Sequence, residues 1–189
     1  MKALEKLFGS PARLKILRFF MFNRAVAATS ADIAHRAKLS KEAARRELAY
    51  LSGAGLIRTK RVGGDTLYQI NTRFEHLDAL DGFIRATTTV RPEHIIATLR
   101  QAGGLRLVTL TGFFTNSLES QMDLLVVGDR LDDRSLAKAV RTLEAELGRE
   151  IRYTSFATEN FRYRLGIYDR LLRDVFDYPH RLLVDKIGL

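Results

Sequence analysis

Residues 40–71 read SKEAARRELAYLSGAGLIRTKRVGGDTLYQIN, and the period of their apolar residues changes part-way along. From Ser40 to Gly53 the apolar positions Ala44, Leu48 and Leu51 recur at helical spacing. Serine is a preferred N-cap, and Glu42 falls in the first turn, where the helix dipole favours a negative charge. Gly53 and Gly55 supply the stop. From Leu56 and Ile57 alternation takes over, interrupted at Gly63-Gly64-Asp65, which predicts a β-hairpin. Lys41, Arg45 and Arg46 lie off the apolar stripe of the helix, and Arg58, Lys60 and Arg61 flank the hairpin turn.

Upstream, Ser10-Pro11 predicts a helix start, with Leu14, Leu17 and Met21 recurring along it and Ile16 and Phe20 widening its apolar face. Ser30 opens a second, shorter helix, SADIAHRAK, with Ile33, Ala34 and Ala37 turned inward. Downstream, FEHLDALDGFIRA places Phe74, Leu77, Leu80, Phe83 and Ile84 on one helical face and Glu75, Asp78 and Asp81 on the other. Such a helix either docks on its own domain or pairs with a second copy. The β-branched ATTTV and Arg91-Pro92 end it, leaving 87–91 as a linker.

Charge divides the chain in the same place. Residues 1–73 hold 15 Lys and Arg against 5 Asp and Glu, a balance of +10, whereas residues 74–189 hold 16 against 17. The whole excess lies in the first module, which points to a polyanion as its partner. The alternative is an ordinary solvated basic face. Hydrophobic residues make up 46% of 189, enough for a packed core, and there is no cysteine for a disulfide or thiolate site. No apolar run approaches the ~20 residues of a membrane-spanning helix, and the first residues lack the apolar stretch of a signal peptide. A cytoplasmic location without membrane association is the expectation.

Three helices followed by a hairpin is the order of a winged helix-turn-helix. On GSPARLKILRFF, the short second helix, SKEAARRELAYLSGAGLI and the GGD turn, residues 7–71 resemble the DNA-binding domains of ArsR- and MarR-type bacterial regulators. That resemblance implies double-stranded DNA as partner and a homodimer reading paired half-sites. It assigns DNA contacts to Ser40, Lys41, Ala44, Arg45 and Arg46 on the third helix and to Arg58, Lys60 and Arg61 on the wing.

Beyond Pro92 the pattern alternates: helix PEHIIATLRQAG, strand LRLVTL, loop, strand MDLLVVG, helix DRSLAKAVRTLEAELG, strand IRYTSFA, two helices and a final apolar RLLV. Alternation of this kind predicts helices layered on a mixed sheet. Residues 109–129, TLTGFFTNSLESQMDLLVVGD, resemble the nucleotidyltransferase domain of the DNA polymerase β superfamily. In that family a Gly-Ser pair and three strand carboxylates hold a nucleotide and two metal ions. Gly112 matches the glycine, Phe113 stands at the serine, Gln121 at the first aspartate and Asp123 at the second. On the later strand Arg152, Tyr153 and Thr154 offer no carboxylate. Two-metal chemistry needs clustered charged oxygens, so the resemblance implies a catalytically degenerate domain with no catalytic residue, metal or cofactor. Asp123 also has a plain structural reading, as a strand-end aspartate bonding local backbone. Phe113 and Phe114 would make the former phosphate pocket apolar.

His35, His76, His94 and His180 lack partners at metal-ligand spacing, and Ser117 and Ser120 sit in no nucleophile elbow. Arg162 and Arg164 form either a solvated face or a second nucleic-acid contact.

The expected architecture is therefore a two-domain α+β or α/β protein. It has a winged helix at 1–73, a connecting helix and linker at 74–91 and a degenerate nucleotidyltransferase-like domain at 92–189. The expected function is sequence-specific transcriptional regulation. The second domain would serve dimerisation, sensing of a small molecule or docking of a protein partner. The alternatives are a nucleotidyltransferase targeted by its winged helix and an antitoxin-like binding protein.

Overall fold

In the computed structural model, which describes residues 2–117 and 119–189, local signals decide most element starts. Helix α1 spans Lys2–Leu7, and α2 spans Pro11–Phe22. The Ser10 side chain accepts the Arg13 N–H at 3.3 Å, with proline at the first helical position. Strand β1, Ala28–Thr29, leads into helix α3, Ser30–Arg36. Thr29, rather than Ser30, caps it. Its hydroxyl accepts from Asp32 N–H at 3.2 Å and the Asp32 carboxylate accepts from Thr29 N–H at 3.3 Å, a reciprocal capping box.

Helix α4, Lys41–Gly53, starts at Ser40, whose hydroxyl accepts the Ala43 N–H at 3.1 Å. Strands β2, Ile57–Val62, and β3, Asp65–Ile70, pair antiparallel. Their connection is two residues long, Gly63 and Gly64, both at positive φ (57° and 91°). Two consecutive left-handed residues match the twist of the flanking strands and favour glycine. Asp65, expected in the turn, is instead a strand residue opposite Val62. The sheet order is β1-β3-β2, so the basic strand β2 is an edge.

Helix α5, Leu77–Thr87, packs most of its apolar stripe on its own unit. Leu77 and Ile84 are buried, and Phe74 and Leu80 pack on the core formed by Leu14, Phe20, Ile33, Leu48 and Ile70. Phe83 remains exposed, tilted against Phe8 with ring centroids 6.2 Å apart.

The remaining elements are α6, Pro92–Leu99; β4, Gly104–Leu110; β5, Leu124–Asp129; α7, Asp133–Leu147; β6, Tyr153–Phe156; α8, Thr158–Gly166; α9, Arg170–Asp177; and β7, Arg181–Asp185. A single 3-10 turn at Arg100–Ala102 follows α6, and another, Gly112–Thr115, follows β4. The second sheet has the order β6-β5-β4-β7. Its central pair is antiparallel, β7 is antiparallel to β4, and β6 runs parallel to β5. Residues 124–128 of β5 are all buried, the pattern of a strand covered on both faces. Leu107, Leu125 and Val127 pack with Phe161 of α8 and with Leu172 and Val175 of α9.

The chain divides into two compact units, Met1–Val90 with Arg141–Arg149, and Arg91–Val140 with Glu150–Leu189. Residues 141–149, read from sequence with the second module, group with the first. The Arg18 guanidinium donates to the Glu146 carbonyl at 2.8 Å and the Asn23 amide to the Gly148 carbonyl at 2.7 Å. Gly148 is at φ +78°, and a Cβ there would lie 2.5 Å from the carbonyl carbon of Arg18. Helices and sheet occur in both units, an α+β composition.

Candidate functional site

Two places bring together the residues singled out from sequence. The first is the outer surface of α4 and the β2–β3 hairpin. Ser40, Lys41, Arg45 and Arg46 are exposed on α4. The Ser40 hydroxyl, although used as a cap acceptor, keeps its own proton to donate. Lys41 and Arg45, four residues apart, share a helix face.

Ala44 has to be corrected. It is fully buried, because the stripe it shares with Leu48 and Leu51 faces the core, so it cannot touch a base edge.

Glu47 is the buried acid of this helix. It is held by the Nε of Arg13 at 2.9 Å, with Arg46 3.8 Å away, and Arg13 stacks 3.6 Å over the Tyr50 ring. The acid is thus neutralised from α2.

On β2, alternation puts Arg58 and Lys60 on one face and Arg61 on the other, all exposed. Among the described residues Lys41, Arg45, Arg58, Lys60 and Arg61 form no ion pair, so their charge is directed to solvent. Strand β2 is an edge, and its cations lie next to a glycine turn.

The second place is Asp123, just before β5 and only 1% exposed. Its Oδ1 accepts from the Phe113 N–H at 2.8 Å and from an Arg152 terminal nitrogen at 2.8 Å. Its Oδ2 accepts from the Arg152 N–H and from Arg152 Nε, both at 3.0 Å. Burial pushes this carboxyl up, but the hydrogen bonds from Arg152 and Phe113 outweigh it and hold the group below its ordinary value. The same contacts raise the Arg152 guanidinium. The parallel pairing of β5 with β6 continues back to these residues, which is how side chains 29 positions apart meet.

Gly112 makes the arrangement possible. It sits at φ +53°, and a Cβ there would press on the Met122 carbonyl and lie 2.5 Å from Asp123 Oδ1. Phe113 and Phe114 are half-buried, their rings edge-to-face at 5.5 Å. Gln121 is exposed, its backbone N–H donating to Asp174 of α9 at 3.0 Å. Ser120 is buried and its hydroxyl donates to the Met122 carbonyl at 2.9 Å.

Chemically, the aspartate has its oxygens committed to an arginine and to backbone donors. The strand on which the family resemblance looks for another carboxylate supplies a cation instead. A divalent ion would have to displace that guanidinium. Among the described residues no three His, Cys, Asp or Glu side chains gather at metal-binding spacing. Glu119, a conceivable substitute ligand, lies with Gln121, Arg164 and Asp174 along an open groove of about 990 Å³.

Arg152 was the residue whose role sequence reading missed. In the sequence it is only a non-acidic position, and nothing local marks it as the partner of Asp123. Of the histidines, His180 lies edge-on to Phe176 and bonds the Tyr178 carbonyl at 3.0 Å, while His76 lies edge-on to Phe74. Arg164 is engaged by Asp169 at 2.8 Å and stacks on Phe156.

Compared with known proteins, the chain matches no family model, no curated protein and no solved structure.

Proposed function

We propose that this chain is a sequence-specific DNA-binding transcription regulator. Its first unit acts as a winged helix, and its second is a nucleotidyltransferase-like domain without catalysis. The observation that carries this reading is the set of exposed, unpaired cations on α4 and on the β2–β3 hairpin, within a segment of +10 balance. Arg45 and Lys41, near the start of α4, reach base edges in the major groove while Arg58, Lys60 and Arg61 anchor phosphates. Ser40 donates its hydroxyl to a phosphate oxygen beside the helix N-terminus.

The second unit serves association of two copies, sensing of a small molecule or docking of a protein partner, and the regulator acts as a cytoplasmic homodimer. The engagement of Asp123 by Arg152 favours this over a metal-dependent nucleotidyltransferase. Selection of duplexes from a random-sequence pool on the purified protein tests the reading. A single recurring motif is the expected outcome, and a pool that stays random through successive rounds counts against sequence-specific recognition.

A further inference from the structure

We infer that the α8–α9 turn of the second unit is where two copies of this chain associate, each placing Tyr168 in a groove of the other. Among the described residues, five of the twelve exposed large apolar side chains fall within residues 163–171: Tyr163, Leu165, Ile167, Tyr168 and Leu171. A concentrated apolar patch with a polar rim marks an interaction surface. Tyr168 is the extreme member at 81% exposure.

Its backbone makes the exposure informative. Tyr168 N–H donates to the Leu165 carbonyl at 3.2 Å and Asp169 N–H to the Arg164 carbonyl at 3.0 Å, with Tyr168 at φ +55°. This is a Schellman helix end, in which the left-handed residue is normally glycine. A bulky aromatic there is disfavoured, and its ring, being exposed, gains little packing in this chain to offset the strain.

Tyr168 itself forms part of the wall of a groove of about 380 Å³, which Leu165, Leu172, Phe176, Arg173 and Asp177 also line. A knob and a hole on one surface are self-complementary under a two-fold axis and close as an isologous dimer.

Charge selects a second copy over other occupants. Residues 158–178 carry four arginines and four acids. A nucleic acid would gain little counterion release from such a patch and would meet its carboxylates. A strongly acidic or basic protein would face like charge on half of it, whereas a second copy brings the same balanced set. Tyr and Arg are also the side chains most often found at the energetic centre of interfaces.

The inference deepens the homodimer part of the proposed function and is tested without DNA, so the outcome is independent of the DNA-binding reading. The full chain, run by size exclusion with light scattering at micromolar concentration, should show twice its 21.4 kDa mass. Tyr168→Gly and Ile167→Glu should each run at the monomer mass. Tyr168→Gly should still unfold in one cooperative transition, so that the loss of mass is a loss of association and not of the fold; glycine relieves the left-handed strain while the lost partner removes its mass-action stabilisation. A monomeric wild type, assemblies that grow beyond two copies with concentration, or a dimer that both variants leave intact would overturn the proposal.

Discussion

Asp123 is almost wholly buried yet fully ionised in character, because Arg152 supplies both a backbone N–H and a two-pronged side-chain contact. Its folded-state pKa lies below the ordinary value. The stability it contributes is therefore present above the unfolded-state pKa of about 3.9 and is lost as pH falls through the lower folded-state value. Asp123→Asn should cost about 2 kcal/mol at pH 7. That is less than the ~3–5 of a fully buried pair, because Arg152 is half exposed and screened. The variant should also flatten the acid limb below about pH 4, measured by chemical denaturation between pH 7 and 2.5. An unchanged limb would mean that the carboxylate is not paired in solution. Gly112→Ala is the steric counterpart, since its methyl group would push into Asp123 and the Met122 carbonyl at a positive φ. It should destabilise the chain by more than ~3 kcal/mol, read as a lowered denaturant midpoint, the tail reached when strain and a broken buried network combine.

At the scale of elements, the proposed function divides the work of binding between α4 and the hairpin. Arg45→Ala should weaken binding to a selected duplex and relax its sequence preference, because arginine reads guanine edges. Lys60→Ala should weaken binding to all duplexes alike and lower the salt slope by ~1, the signature of one lost phosphate contact. Competition titrations of both variants against matched and scrambled duplexes separate the two; identical effects would contradict the division.

Much of this layout was legible beforehand where the signal is local. Ser10 and Ser40 cap helices through hydrogen bonds three residues away, and Gly63-Gly64 alone specifies the two-residue turn. Shared positions were harder. Ala44 belongs both to the apolar stripe and to the start of a helix facing outward, and only packing shows that the stripe prevails. The two-residue β1 is not legible because the strand exists only through its pairing with β3, whereas the Thr29–Asp32 capping box is local and readable from its Thr-x-x-Asp spacing. Arg152 was illegible for a stronger reason: its partner is set by the β5–β6 register, a long-range fact that no motif near residue 152 encodes.

For the molecule as a whole, the net positive charge is confined to residues 1–73, while residues 74–189 are almost neutral. In the proposed function such a distribution would orient a polyanion toward one part of the chain. It also means that non-specific attraction to DNA is expected in any case, so affinity alone is a weak criterion. The decisive quantity is the ratio between specific and non-specific binding across ionic strength. Fluorescence anisotropy of a duplex from upstream of the chain's own gene, against a scrambled duplex of equal length over a salt series, measures it most directly. The account predicts binding at least ~10³-fold tighter to the first duplex at physiological salt, with both affinities falling as salt rises. Equal, weak binding to both duplexes at every salt concentration would contradict it.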